Sequence, residues 1–215
     1  MESKKVLENL IISGIYFLQD KTLLEEILSF QESINEKIDK IVSSEKFACE
    51  KGCHYCCIGW EVKGSIPEIL LLIKELNALP EEKREEIAEH LEEYKLLEKK
   101  EDIPCPLLDN NLCVAYKGRP FVCRTYSSYD KKLCEEKKEF IFPDIVEKAL
   151  DTVNKETSLV EEPFNYLFNT KIPITEISFD KENKLFFLNL AETVHIHPSK
   201  EDIKVKAGKY AKMYL

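Results

Sequence analysis

Cys49-Glu50-Lys51-Gly52-Cys53-His54-Tyr55-Cys56-Cys57 places four of the chain's eight cysteines within nine residues. Core residues, a disulfide framework, redox thiols and metal ligands all bring cysteines close together, and each predicts different company. Disulfide frameworks belong to small secreted domains with dense cysteine and a cleaved leader. This chain of 215 residues begins Met1-Glu2-Ser3-Lys4-Lys5, and its first apolar run, Leu10-Ile11-Ile12, is too short to span a bilayer. The expected setting is a reducing cytoplasm, where thiols stay free for metal. The competing reading is a disulfide-bearing intracellular protein of a hyperthermophile, which the abundant Lys and Glu would suit.

Within C-x3-C-x2-C-C, Cys49, Cys53 and Cys56 stand at i, i+4 and i+7, so even a partly helical loop aims three thiols to one side. Cys57 points elsewhere, and adjacent cysteines chelate a single ion poorly because the ring between them is tight. Gly52 and Gly59 bracket the segment and allow the positive φ values that a ligand loop needs. A second set follows, Cys105, Cys113, Cys123 and Cys134, so the chain holds two half-sites that a fold can bring together. Sulfur-rich ligation suits zinc or iron–sulfur clusters above magnesium or calcium. Zinc sites commonly pair C-x2-C knuckles, and this chain has a single clear x2 spacing, which tilts the expectation to iron–sulfur. A four-thiolate centre carries a formal charge of about −2 and needs donors and cations around it. Of only three arginines, Arg119 and Arg124 flank Cys123. A planar guanidinium there orients thiolates, holds an anionic substrate, or braces the loop on carboxylates.

The remaining chain reads as helices around this loop region, with strands at the end. Leu24, Ile27, Ile34, Ile38 and Ile41 recur at helical spacing between Thr22 and Phe47, with Thr22 and Glu25 as a capping box. An earlier helix is expected over 4–18. Pro67 enters a helix over 68–79, Pro80 starts a charged surface helix over 81–100, and a further helix covers 143–154. Residues 101–135 read as irregular because Pro104, Pro106, Pro120 and the turn Asp109-Asn110-Asn111 interrupt them. From Ile172 to Ile196, β-branched and aromatic runs separated by Asp180-Lys181-Glu182-Asn183 predict a β-hairpin or small antiparallel sheet, followed by a terminal helix over 199–215. The expected fold is therefore α+β and predominantly helical. Its parts are a helical portion 1–160 carrying the motif at 45–135 and a small β lobe 161–215, packed as one folding unit.

Cys49-x3-Cys53-x2-Cys56-Cys57, then Cys105-Pro106-Leu107-Leu108, then Cys113-Val114-Ala115-Tyr116-x2-Arg119-Pro120-x2-Cys123-Arg124-x-Tyr126 resembles the YkgJ-like cysteine-cluster family, described as a zinc- or iron-chelating domain. The resemblance covers roughly residues 45 to 135. It implies that Cys49, Cys53, Cys56, Cys57, Cys105, Cys113 and Cys123 are metal or cluster ligands, and that Arg119, Pro120, Arg124 and Tyr126 shape the site. Cys134 lies beyond the matched part. Flagellin lysine N-methylase is similar in its cysteine pattern, which implies S-adenosylmethionine-dependent protein methylation as one reading, although no glycine-rich loop after a strand supports it here. Cys49-x3-Cys53-x2-Cys56 also matches the cluster motif of radical S-adenosylmethionine enzymes, but that motif follows the first strand of a βα barrel, and the flanks here are helical.

The functional expectation is a protein holding an iron–sulfur cluster, of the 4Fe-4S type, or zinc, with a protein substrate or redox partner. The formal net charge of −9 argues against nucleic-acid and anionic-membrane partners. His54 reads as a polar filler of the loop and His195 with His197 as a packed or exposed pair on a strand. Trp60 is placed to shield the site from water.

Overall fold

The structure, a computed structural model, describes residues 20–136, 144–160, 164–189, 194–196, 203–205 and 212–214, with side chains up to Leu188. Helix α1 (Lys21–Ser43) is capped by Asp20, whose carboxylate accepts from the amides of Thr22 and Leu23. The cap is thus Asp20 rather than the expected Thr22, since the helix begins one residue before that threonine. Leu24, Ile27, Leu28, Ile34 and Ile38 line its buried face, and the buried Gln31 and Asn35 satisfy each other through a 3.0 Å hydrogen bond. The helix expected over 4–18 lies outside the described residues.

Helix α2 (Ile66–Asn77) is the centre of the core, with nine of its 12 residues buried. Ser65 caps it, and Glu68 returns the bond to the Ser65 amide at 2.6 Å, closing a capping box. Helix α3 (Glu81–Leu96) buries Ile87, Leu91 and Tyr94 of the stripe expected over Ile87, Leu91, Tyr94 and Leu97, but it ends four residues earlier than the charge run suggested and leaves Leu97 exposed just beyond it. Helix α6 (Asp144–Thr157) lies along α1 and buries Ile145 and Ala149, and α7 (Phe164–Asn169) abuts α2. Residues 101–135, expected to be irregular, hold two short helices, α4 (Phe121–Thr125) and α5 (Lys131–Glu135), and a hairpin of β2 (Leu108–Asp109) with β3 (Leu112–Cys113). Asn110 and Asn111 turn that hairpin at φ values of 47° and 64°, the left-handed pair that a two-residue turn demands.

Strand β1 (Lys63–Ser65) pairs antiparallel with β4 (Lys171–Pro173), fastening the segment just after the cysteine nest to the C-terminal half. Strands β5 (Ile177–Asp180), β6 (Leu185–Asn189) and β9 (Lys212–Tyr214) form an antiparallel sheet whose Phe186 and Leu188 are completely buried, and β6 packs on α2. Asn77 at the end of α2 donates to Phe186 O at 3.0 Å and accepts from Phe186 N at 2.7 Å. Strand β7 (Val194–Ile196) pairs with β8 (Ile203–Val205). The fold is α+β and helix-dominated, as expected, but 203–205 and 212–214 are strands where a terminal helix was predicted. Ile203-Lys204-Val205 carries β-branched residues in alternation, and Gly208 opposes a helix through this stretch. His195 lies on β7, while His197 is outside the described residues. No helix among the described residues is long and apolar enough to cross a membrane.

Candidate metal centre

The nest begins where α1 has ended. Ala48 N donates to Ser128 O at 2.9 Å and the Phe47 ring lies 4.8 Å from Tyr129, so Cys49 enters against the loop that leads to α5. Cys53 N then reaches back to Glu50 O at 2.9 Å across Gly52, whose φ of 86° is the left-handed value that this turn requires. His54 Nδ1 sits 3.3 Å from Gly52 O with its ring stacked on Tyr55. A single 3-10 turn, Tyr55–Cys57, carries the last two cysteines of the segment.

The main chain binds the two cysteine segments together. Cys105 N donates to Cys57 O at 2.7 Å, Gly59 N donates to Ile103 O at 2.9 Å, and Ile58 forms a β-bridge with Pro104. From there the β2–β3 hairpin returns Cys113 opposite Leu108, and α4 presents Cys123 from its first turn. All eight cysteines are free thiols; Cys49 is exposed, Cys134 buried and the other six half-buried.

Neighbouring thiols act on one another's charge. Burial first, and then Cys113 and Cys56, push Cys105 up to about 12 against an opposing backbone hydrogen bond at Leu107. Cys123 is raised by burial and then by Cys105, Cys113 and Cys56. Burial likewise raises Cys113, with Arg119 opposing and Cys56 adding. Cys56 is raised first by its hydrogen bond with Cys57 and next by burial. The thiols of Cys56, Cys105, Cys113 and Cys123 therefore share one poorly hydrated region, where several negative charges are tolerated only beside a cation. Among the described residues, no three His, Cys, Asp or Glu side chains stand close enough about one point to hold an ion as they are. The thiols are gathered but not drawn in. A soft, sulfur-only set of this kind fits zinc or iron–sulfur and does not fit the hard, oxygen-seeking cations.

The two arginines that flank Cys123 do different things. Arg119 lies 3.5 Å over the Tyr116 ring, donates to Tyr116 O at 2.9 Å, and its charge lowers Cys56, Cys113 and Cys123. Arg124 is buried and braces the loop: it pairs with Asp39 of α1 at 2.6 Å and donates to the carbonyls of Arg119 (2.8 Å) and Lys117. Tyr126 stacks on Trp60 at 5.7 Å, and the Trp60 indole donates to Cys56 O at 2.7 Å. This aromatic pair lines a cavity of about 390 Å³ that also exposes Cys56 and Cys134. Burial, then Cys56 and Cys134, push the Tyr126 hydroxyl up to about 12.

Cys134, which the sequence pattern leaves unassigned, is brought to the nest. It sits on α5 beside the Tyr55–Cys57 turn, and Cys49, Cys53 and Cys56 are the thiols that act on it. The available signal was its place as the eighth cysteine in the same cysteine-bearing stretch. No curated protein and no solved structure matches the chain. A family model does, over residues 48–145: CxxCxxCC, with the description "Putative zinc- or iron-chelating domain". It spans every cysteine described above, and metal chelation is the property it supports. The likeness to that family is thus one of residues 48–145, less than half of the 215-residue chain.

Proposed function

We propose that the two cysteine segments jointly hold an iron–sulfur cluster, with Cys56, Cys105, Cys113 and Cys123 as its nearest thiols and Arg119 offsetting their charge. The observation that carries this reading is the direct main-chain bond from Cys105 to Cys57, which brings a second trio of half-buried thiols to Cys56. Such a cluster supplies one-electron chemistry when bound. The chain's own residues orient the thiols, exclude water through the Trp60–Tyr126 stack, and place one cationic side chain against the growing negative charge. A reducing cytoplasm is the compartment in which eight free thiols persist, and a redox partner or protein substrate would approach through the cavity at Trp60 and Tyr126.

A closed zinc centre is the second reading, favoured by the family description, which names zinc beside iron, and by the sufficiency of four thiolates for structural zinc. Anaerobic purification with iron, zinc and acid-labile sulfide analysis separates the two. The cluster reading expects a coloured protein with iron and sulfide in equal amounts. A colourless protein with stoichiometric zinc and no sulfide overturns it.

A further inference from the structure

The family resemblance implies seven cysteine ligands, and the eighth cysteine, Cys134, changes the arithmetic. Cys134 is buried at 7% exposure, on a helix packed against the Tyr55–Cys57 turn. That placement is fastened at three points: Tyr55 Oη donates to Glu135 at 3.1 Å, Ala48 N donates to Ser128 O at 2.9 Å, and Phe47 meets Tyr129 at 4.8 Å. The loop before α5 and α5 itself thus lie against the Cys49–Cys57 segment, while Cys105 reaches the same segment through its bond to Cys57 O.

We infer that the eight thiols form two four-cysteine metal centres: Cys49, Cys53 and Cys134 in one, Cys105, Cys113 and Cys123 in the other, with the adjacent Cys56 and Cys57 giving one thiol to each. This rests on the reading of the cysteines as metal ligands, whichever metal it is. Cys134 reaches the turn from α5 and Cys105 reaches it through the main chain, so the two groups meet the adjacent pair from different elements. The division also resolves the chemistry of the adjacent pair, because neighbouring cysteines that chelate one ion poorly serve two ions well. Each centre then reaches the four thiolates that a tetrahedral zinc or a cubane cluster takes.

The test uses the full chain, stripped of metal and reloaded with zinc ion as the probe, and counts zinc per chain by native mass spectrometry. Two are expected for the wild type. Cys134→Ser, Cys53→Ser and their double variant should each hold one, Cys105→Ser should hold one, and Cys105→Ser combined with Cys134→Ser should hold none. Because Cys134 is buried, a reading independent of its substitution is needed: in zinc-loaded Cys53→Ser the Cys134 thiol should react with iodoacetamide as fast as in apo-protein, yet stay protected in Cys105→Ser. One zinc per wild-type chain, or protection of Cys134 that survives Cys53→Ser, overturns the division. Failure of the ligand reading itself looks different, with no zinc bound by the wild type. Failure of the iron–sulfur reading shows only in the sulfide content of protein as purified.

Discussion

Gly118 shows how closely the cysteine-bearing loop is pressed onto the core. A Cβ there would lie 2.8 Å from Leu71 O and 3.0 Å from the Leu72 Cα, both backbone atoms of α2 that cannot step aside. Gly118→Ala should therefore destabilise by about 1–3 kcal/mol, read as a fall of about 2–4 °C in Tm for each kcal/mol; an unchanged Tm would show that the loop does not dock on α2. Glu68 is the second residue on which the loop depends. Its buried carboxylate accepts from Ser65 N and from Phe121 N, both at 2.6 Å, and faces Lys171 at 3.2 Å. Burial alone would raise it, but Lys171 and the Ser65 and Phe121 amides outweigh burial and hold it below the ordinary glutamate value. The folded state therefore binds this proton less readily than the unfolded chain. The stabilisation is complete above the unfolded value of about 4.3 and is lost as pH falls through the lower folded value. Glu68→Gln should cost about 1–3 kcal/mol at neutral pH, and the gap to wild type should narrow in acid, which urea melts across that window would record. Neither residue was legible as a docking point, because each acts through a partner distant in sequence.

At the scale of elements, the Asn77 amide joins α2 to the sheet, supplying both a donor and an acceptor to Phe186 of β6. Asn77→Ala leaves two buried backbone groups unpaired, so a loss of about 1–3 kcal/mol for each is expected, with faster hydrogen exchange at the Phe186 amide; unaltered exchange there would mean the sheet holds itself. The long helices were legible because their apolar residues repeat at helical spacing, as Leu24, Ile27, Ile34 and Ile38 do. The β2–β3 hairpin was not, because strands of two residues have no period, and only its Asn-Asn turn left a mark. The stretch 203–214 misled for a related reason: Lys-rich polar sequence reads as helix until a partner strand, here β6 or β7, is known. Helix α5 was likewise invisible, although it carries Cys134.

Across the whole molecule, the cysteine pattern announced a candidate site and the fold brings its segments together. The nest was readable from its spacing, and Cys105, Cys113 and Cys123 from the family resemblance. The separate tasks of Arg119 and Arg124 were not, because Asp39 lies eighty-five residues from Arg124. Metal removal should lower stability without abolishing the fold: the wild-type chain treated with a strong chelator should melt cooperatively at a lower temperature, and loss of the transition would overturn this. Metal uptake should weaken in acid and release protons, because burial keeps Cys105, Cys113 and Cys123 protonated at neutral pH; proton release measured in weakly buffered solution checks it. The bond from Cys105 N to Cys57 O, with the Ile58–Pro104 bridge beside it, runs through peptide groups and owes nothing to sulfur. The two cysteine segments are consequently held in register by the backbone itself, so loss or exchange of a metal there should leave the peptide contacts between them in place, as in a socket rather than a mould.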